Sequence, residues 1–443
     1  MIGKIKSYFE FDKWDTDMKT ESVGGLTTFM TMAYIIFVNP AILANAGMDF
    51  DSVMVATCLA SAVATLVMGI YARYPFGLAP GMGLNAFFAF EIVVANGVPW
   101  QTALGMVFVS GTLFLVLTFV KVREMIINAI PESLKLSISA GIGLFIAFIG
   151  LQHAGIVAAH QATLVTLGDL SAPSTLIAIV ALLATVAMMA AGVKGAILWG
   201  ILLAGAIGLA ADVIQPAGEG IGMVVSFKPS LSPTAFKLDI IGVFTHWKWI
   251  ALMFVLLFFD LFDTVGTLIG VSENAGYLKD GKLPRANKAL SADAAGTIVG
   301  SLLGTSTTTS YIESATGVAA GARTGFASVV TALLFLAAIF FGPLVSMLAE
   351  PFVTASALIV VGALMMGSVA KIPWKDTTEA IPSFLTMVLM PLTFSISQGL
   401  VAGFISWPVL KVAAKRHKEV HPLVYVLAGT LLVAVVISNA VME

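Results

Sequence analysis

Runs of about twenty apolar residues, broken by short polar connections, occupy almost the whole chain. They fall at 24–45, 52–72, 82–96, 101–120, 132–151, 172–191 and 194–214. After a polar stretch at 215–248 they resume at 249–271, 287–304, 312–321, 325–349, 352–370, 376–394, 396–411 and 421–441. A helix of that length crosses the hydrocarbon of a bilayer, so the pattern predicts an all-α polytopic membrane protein. Lys and Arg gather in alternate connections: Arg73, Lys121/Arg123, Lys194, Lys279/Lys282/Arg285/Lys288, Arg323, Lys371/Lys375 and Lys411/Lys415/Arg416 share a side with the amino terminus. Connections in between, such as Asp49/Asp51 and 304–310, are poor in positive charge. Cationic loops stay in the cytoplasm, which predicts an internal amino terminus. The alternation supports the spans through residue 411. The final run at 421–441 breaks the parity, and fourteen crossings are expected.

The first 21 residues are charged and lack the apolar centre of a secretory leader. Ile2, Ile5, Phe9 and Trp14 fit one side of a short interfacial helix; a solvated tail is the other reading. Only 11% of the 443 residues are charged, against 58% hydrophobic, which excludes an ordinary soluble enzyme. The 23 Lys and Arg nearly balance 25 Asp and Glu, so there is no basic excess to hold nucleic acid. Cys58 is the only cysteine, which excludes an intrachain disulfide and a cysteine metal site. The five histidines (153, 160, 246, 417 and 421) lie near span ends or loops, and the His417/His421 pair sits in a Lys-rich connection. No metal site, cofactor or enzymatic activity is expected.

Residues 56–71, ATCLASAVATLVMGIY, resemble 291–306, SADAAGTIVGSLLGTS, at an offset of 235. An odd number of spans separates the copies, so the repeat is inverted. The same offset pairs the two least helical apolar stretches, 75–85 (PFGLAPGMGLN) and 304–317 (GTSTTTSYIESATG). Pro, Gly and a Ser/Thr run do not sustain a helix. Non-helical backbone at membrane depth survives only where protein or a wet cavity satisfies it, and matched interruptions in two repeats point to a midplane binding site.

Segment 258–271, FFDLFDTVGTLIGV, carries Asp260, Asp263, Thr264 and Thr267 at i, i+3, i+4 and i+7 on one helical face. Carboxylates in a span cost about 2.5–3.5 kcal/mol each on insertion scales, and Glu313 adds a third in the second broken stretch. A carboxyl that cycles between its protonated and ionised forms couples proton entry to solute entry. Three carboxyls, Asn85 and several hydroxyls offer acceptors, with no fixed cation apart from Arg323 near a span end. Phe87, Phe88, Phe90 and Phe262 add flat apolar surface. A planar heterocycle with N–H donors fits; an amine or a plain ion pathway fits the same residues.

The stretches TTFMTMAYIIFVNPAIL (27–43), PFGLAPGMGLNAFFAF (75–90), GIGLFIAFIGL (141–151), FFDLFDTVGTLIGV (258–271) and TSTTTSYIESATGVAAGARTG (305–325) resemble the AzgA-like purine permeases. These form the hypoxanthine/guanine/adenine branch of the nucleobase–cation symporter-2 superfamily. The resemblance implies fourteen segments in two inverted sets of seven. It implies core parts at 24–120 and 249–349, gate parts at 131–214 and 350–443, a cytoplasmic segment at 1–23 and an extracytoplasmic connection at 215–248. Segments 3 and 10 would each carry a short strand, with substrate held between core and gate. By resemblance Asp263 and Glu313 hold the base, Asp260 contacts it or carries the proton, and Asn85 is the polar position of segment 3. Thr264, Thr267, Phe87 and Phe262 complete the expected site, and Asp263, Asp260 and Glu313 are the proton-coupling candidates. The expected activity is proton-coupled import of hypoxanthine, guanine or adenine across a bacterial inner membrane, with a homodimer implied by the resemblance only. An adenine-selective permease, or an ion or anion transporter on the same fold, is the alternative.

Overall fold

The computed structural model describes residues 2–120, 130–215, 224–226, 229–277, 283–425 and 428–429. The run at 421–441, Lys121, Arg123, Lys279 and Lys282 therefore lie wholly or mostly outside the described residues. The described chain is mainly helical. Seven of its helices are long and apolar enough to cross a bilayer, and shorter apolar helices accompany them at Met82–Ala95, Ala196–Ala210 and Gln398–Ala413.

One group of helices comprises α2 (Met18–Met32), α3 (Ile35–Ala44), α4 (Phe50–Val67), α5 (Met82–Ala86), α6 (Trp100–Val120), α10 (Ile240–Val243), α11 (Trp247–Asn274), α12 (Ala286–Leu303), α13 (Ser314–Ala319), α14 (Gly325–Ala338) and α15 (Gly342–Met347). Within it α4 packs on α12 and α14, α6 on α12, and α2 on α13 and α14. The second group holds α7 (Glu132–His153), α8 (Pro173–Ala190), α9 (Ala196–Ala210), α16 (Pro351–Met365), α17 (Thr377–Leu392) and α18 (Ile396–Ala413), with α7 against both α16 and α17. The equivalent helices of the two sequence halves thus interleave, as an inverted repeat requires.

Asp and Ser side chains start several spans by accepting the free N–H groups of the first turn. Asp17 accepts from Thr20 at 2.7 Å, and Asp49 from Ser52 at 2.9 Å. Small residues let backbones meet, as membrane helices require where no hydrophobic force acts between spans. A Cβ on Gly143 would stand 2.6 Å from the Gly362 carbonyl oxygen, and one on Gly362 would run into Gly143 in return, so α7 and α16 cross backbone to backbone.

The apolar run at 24–45 falls within one candidate span, Met18–Ala44, which tightens at Ala33–Tyr34 where α2 gives way to α3. The amino-terminal segment is not a solvated tail: it begins with a short helix and then packs on the first group. After α1 (Ile2–Tyr8), Phe9 and Phe11 set their rings edge-on against Phe326 at 5.7 and 5.8 Å, and Tyr8 Oη donates to Ile70 O at 2.9 Å. Cationic connections converge on this end. Arg73 pairs with Glu10 at 3.4 Å, Arg285 donates to Arg73 O, and the Arg323 N–H donates to Glu21 at 2.8 Å. At the opposite end lie the hairpin of β2 (Val157–His160) and β3 (Leu164–Leu167) and the end of the polar stretch, where the Phe236 N–H donates to Leu302 O at 2.7 Å.

On the cationic end of the second group, Lys411 is buried between Glu379 at 2.6 Å and Glu419 at 2.8 Å. Arg416 pairs with Asp376 at 2.5 Å and holds that carboxyl down at about 2; with Lys411 it holds Glu419 at about 2 as well. Carboxyls depressed in this way stabilise the fold fully above about pH 4 and lose that contribution as pH falls towards 2.

Two outcomes test this packing. Gly362→Leu should destabilise the protein by about 1–3 kcal/mol through overpacking, read as a lower melting temperature in detergent. Arg416→Gln should move the onset of acid unfolding at this end upward, towards pH 4, as followed by hydrogen exchange of α17 and α18.

Candidate functional site

At the centre of the first group the chain leaves the helix twice. Strand β1 (Leu78–Pro80) pairs antiparallel with β4 (Thr308–Ser310) in the register Leu78↔Ser310, Ala79↔Thr309, Pro80↔Thr308. Gly81 N–H donates to Thr307 O and Tyr311 N–H to Gly77 O, both at 3.0 Å, which extends the ladder at each end. Side chains of neighbouring helices take the backbone groups that two short strands leave over. Thr65 Oγ1 exchanges bonds with Leu78 N and O at 2.9 and 3.0 Å, Ser314 Oγ accepts from Gly77 N at 2.9 Å, and Thr297 Oγ1 accepts from Thr308 N at 3.2 Å. In hydrocarbon each bare N–H or C=O costs several kcal/mol. The Ser and Thr side chains of 305–310 serve another purpose, bonding the strand and the residues before it to Asn39, Asn85, Thr264 and Thr267.

Helix α11 lies across the strand pair. Thr264 Oγ1 is 3.0 Å from Thr309 Oγ1 and donates to Asp293 Oδ2 at 3.0 Å; Thr267 Oγ1 is 2.8 Å from Ser310 Oγ. The polar face of α11 is thus bolted to β4 by hydroxyls. Asp263 and Glu313 are half-buried, unlike the fully buried residues around them, and lie within electrostatic reach of one another. Asp263 reaches over the end of β1: a Cβ on Gly81 would stand 3.4 Å from Asp263 Oδ2. Glu313, at the foot of α13, accepts from Tyr34 Oη at 2.6 Å.

Other sequence candidates are placed differently. Asp260 and Asn85 are fully buried, and Ser306 Oγ donates to Asn85 Oδ1. Phe87 is fully buried and packs edge-on against Phe259 at 6.0 Å, so its ring faces protein. The Phe262 side chain lies outside the described residues. Thr264 and Thr267 join strand and helix, with Thr267 half-buried and Thr264 fully so. Arg323 aims its guanidinium at the Val318 and Ala322 carbonyls, at 2.6 and 2.7 Å, and among the described residues no ion pair involves Asp263 or Glu313.

Asp293, Tyr34 and Asn39 are among the buried polar residues that escaped the sequence reading. Asp293 could have been found, since any ionisable residue inside a span is a functional candidate, but its Ala-rich surroundings hid it within the repeat motif. Tyr34 sits in an apolar run that gives no sign of the tightening. Asn39 Nδ2 donates to Thr57 and Thr305 at 2.7 and 2.8 Å, tying α3 to α4 and to the approach to β4.

Residues 19–402 match the model of the permease family known for xanthine and uracil permeases. A Methanocaldococcus jannaschii protein named only as a permease is 56% identical over 430 residues, 97% of each chain. The guanine/hypoxanthine permease PbuG of Bacillus subtilis is 47% identical over 431 residues, covering 95% of this chain and 97% of that one. The chain belongs to the nucleobase permease family. The adenine permease AdeQ of Escherichia coli is 40% identical to this permease over 99% of its length and 97% of the relative's. Among solved structures, the transmembrane domain of the cyanobacterium bicarbonate transporter BicA superposes on the permease with a TM-score of 0.64 at 16% identity, over 87% of this chain and 97% of that one. The shared fold is the seven-plus-seven inverted repeat. The family match and the permease relatives make the chain an integral membrane transporter and not an enzyme.

Replacing Thr264 with Val removes the hydroxyl shared by Asp293 and Thr309. The permease should lose about 1–3 kcal/mol, as for a buried acceptor deprived of a donor, seen as a lower melting temperature in detergent.

Proposed function

We propose that this permease imports purine nucleobases, hypoxanthine and guanine foremost, together with protons across a bacterial inner membrane, with its amino terminus inside. One observation carries the reading: two half-buried carboxylates, Asp263 and Glu313, flank the β1–β4 pair, and among the described residues no cation is paired to either. Such a site is rich in acceptors. A purine lactam presents ring N–H groups to it, and charge-assisted bonds of that kind are short and strong. Adenine offers an amino group but an unprotonated N1 on the same edge, so the acceptor chemistry favours the lactam bases, in line with the printed name of the 47% identical relative.

The same chemistry speaks against an anion as cargo, although the fold is shared with a bicarbonate transporter. An anion needs a fixed positive charge, and the guanidinium of Arg323 is committed to backbone carbonyls.

Residues 24–120 and 249–349 form the moving core, and 131–214 and 350–443 the gate. Core and gate touch where α2 meets α9 and α3 meets α16, and again at the end away from the cationic connections. There Phe90 of the core packs on Phe145 and Phe394 of the gate at 6.4 and 5.6 Å, and Ser395 Oγ donates to Glu91 at 2.9 Å. That contact closes the outer path. A proton on Asp263, Asp260 or Glu313 reduces the buried charge that the core must carry past the gate with its load.

Proteoliposomes with an acid exterior should take up labelled hypoxanthine, with competition by guanine and loss of uptake on adding a protonophore. Asp263→Asn and Glu313→Gln should each cost about 2–4 kcal/mol of binding, the loss expected when one partner of a buried charged bond is removed. Near wild-type uptake by both variants would refute the site.

A further inference from the structure

We propose that Tyr34 is a positioning residue of the base site: its phenol holds Glu313 in one rotamer and takes up one carboxylate oxygen, so that a bound base meets the other. The inference rests on the functional reading above and deepens it. Nothing in the sequence marks Tyr34, because MAYIIFVNP reads as an uninterrupted apolar run.

The junction of α2 and α3 in the first span puts the phenol in place. Helix α2 ends at Met32 and α3 begins at Ile35. Across the gap the backbone tightens, with Ile36 N–H donating to Ala33 O and Phe37 N–H to Tyr34 O, both at 3.1 Å. Tyr34 is 1% exposed, and its ring is held by protein on all sides. It lies 6.5 Å from the ring of Tyr311, whose own hydroxyl donates to Pro80 O in β1 at 2.5 Å. The Tyr34 hydroxyl reaches across 279 residues of sequence to Glu313 Oε1 at 2.6 Å.

The two helices that carry this pair are clamped together just beside it. Thr31 Oγ1 is 3.0 Å from Thr316 Oγ1, and a Cβ on Gly317 would run into Thr28 Oγ1. Tyr34 and Glu313 thus cannot drift apart without separating α2 from α13. Glu313 remains half-buried while the phenol that grips it is fully enclosed. One oxygen of the carboxyl is therefore held by protein, while the side chain as a whole stays only half-buried. A glutamate has three rotatable bonds, and holding them before the base arrives removes an ordering cost from binding.

The test is a double-mutant cycle on purified protein in detergent, reading hypoxanthine Kd by calorimetry. Tyr34→Phe should weaken binding about tenfold while the maximal transport rate in proteoliposomes stays within about twofold. In the Glu313→Gln background the same change should have little further effect, because the grip has lost its charged partner. Tyr311→Phe serves as control. It removes a buried phenol bonded to Pro80 O, so its effect should add to that of Glu313→Gln. Should Tyr34→Phe not fold, 3-fluorotyrosine at position 34 keeps the ring, alters the hydroxyl's acidity and should change Kd. An unchanged Kd in Tyr34→Phe, or in its fluorinated substitute, would overturn the proposal, as would full additivity with Glu313→Gln. A wild-type protein that binds no purine would instead refute the functional reading on which it rests.

Discussion

Six residues of β-structure in the middle of a membrane protein set the terms for everything around them. Strands β1 and β4 give each other only a few backbone bonds. In hydrocarbon the remainder must be met by side chains, because no water is there to meet them. Thr65, Thr297 and Ser314 meet them from three different helices. The strand pair is thereby tied to α4, α12 and α13, and α11 is tied to β4 through Thr264 and Thr267. Asp263 and Glu313 inherit their positions from this frame. The same need for saturation holds the centre of the first group as paired strand rather than helix.

The fold alone does not choose the cargo. A bicarbonate transporter shares it at 16% identity, and fold likeness of that kind says nothing about the site. The choice lies in which charges stand at the strand pair. Here they are carboxylates, and Arg323 turns its guanidinium to the carbonyl groups of Val318 in α13 and Ala322 after it. A solute with N–H donors suits that site, and one with negative charge does not. In the proposed mechanism one set of residues serves both binding and coupling, since carboxyls that accept from donors also hold protons.

Much of this was legible in the sequence for definite reasons. Charge alternation gave the spans, since a lysine in hydrocarbon is costly anywhere along the chain. Pro80, Gly81 and the run at 305–310 marked the broken segments because those residue types cannot continue a helix. Asp260, Asp263 and Glu313 stood out against apolar neighbours. What stayed hidden depends on tertiary contacts. The tightening at Ala33–Tyr34 occurs among residues that favour a continuous span, so only packing against α13 reveals it. Phe87 has the composition of a stacking ring, yet its burial against Phe259 follows from how α5 meets α11. The docking of Phe9 and Phe11 on Phe326 likewise joins residues more than three hundred positions apart, a distance at which helical periodicity carries no information.

The most direct test of an acceptor-only site is to block the donor it is built to meet. Binding of hypoxanthine and of 1-methylhypoxanthine to the purified permease should be compared by calorimetry at neutral pH. The methyl group replaces the N1–H and leaves the ring, its 6-carbonyl and its imidazole edge in place. Binding reduced by a hundredfold or more on methylation is the result expected if Asp263 and Glu313 read that N–H. Equal affinity for the two bases would contradict it.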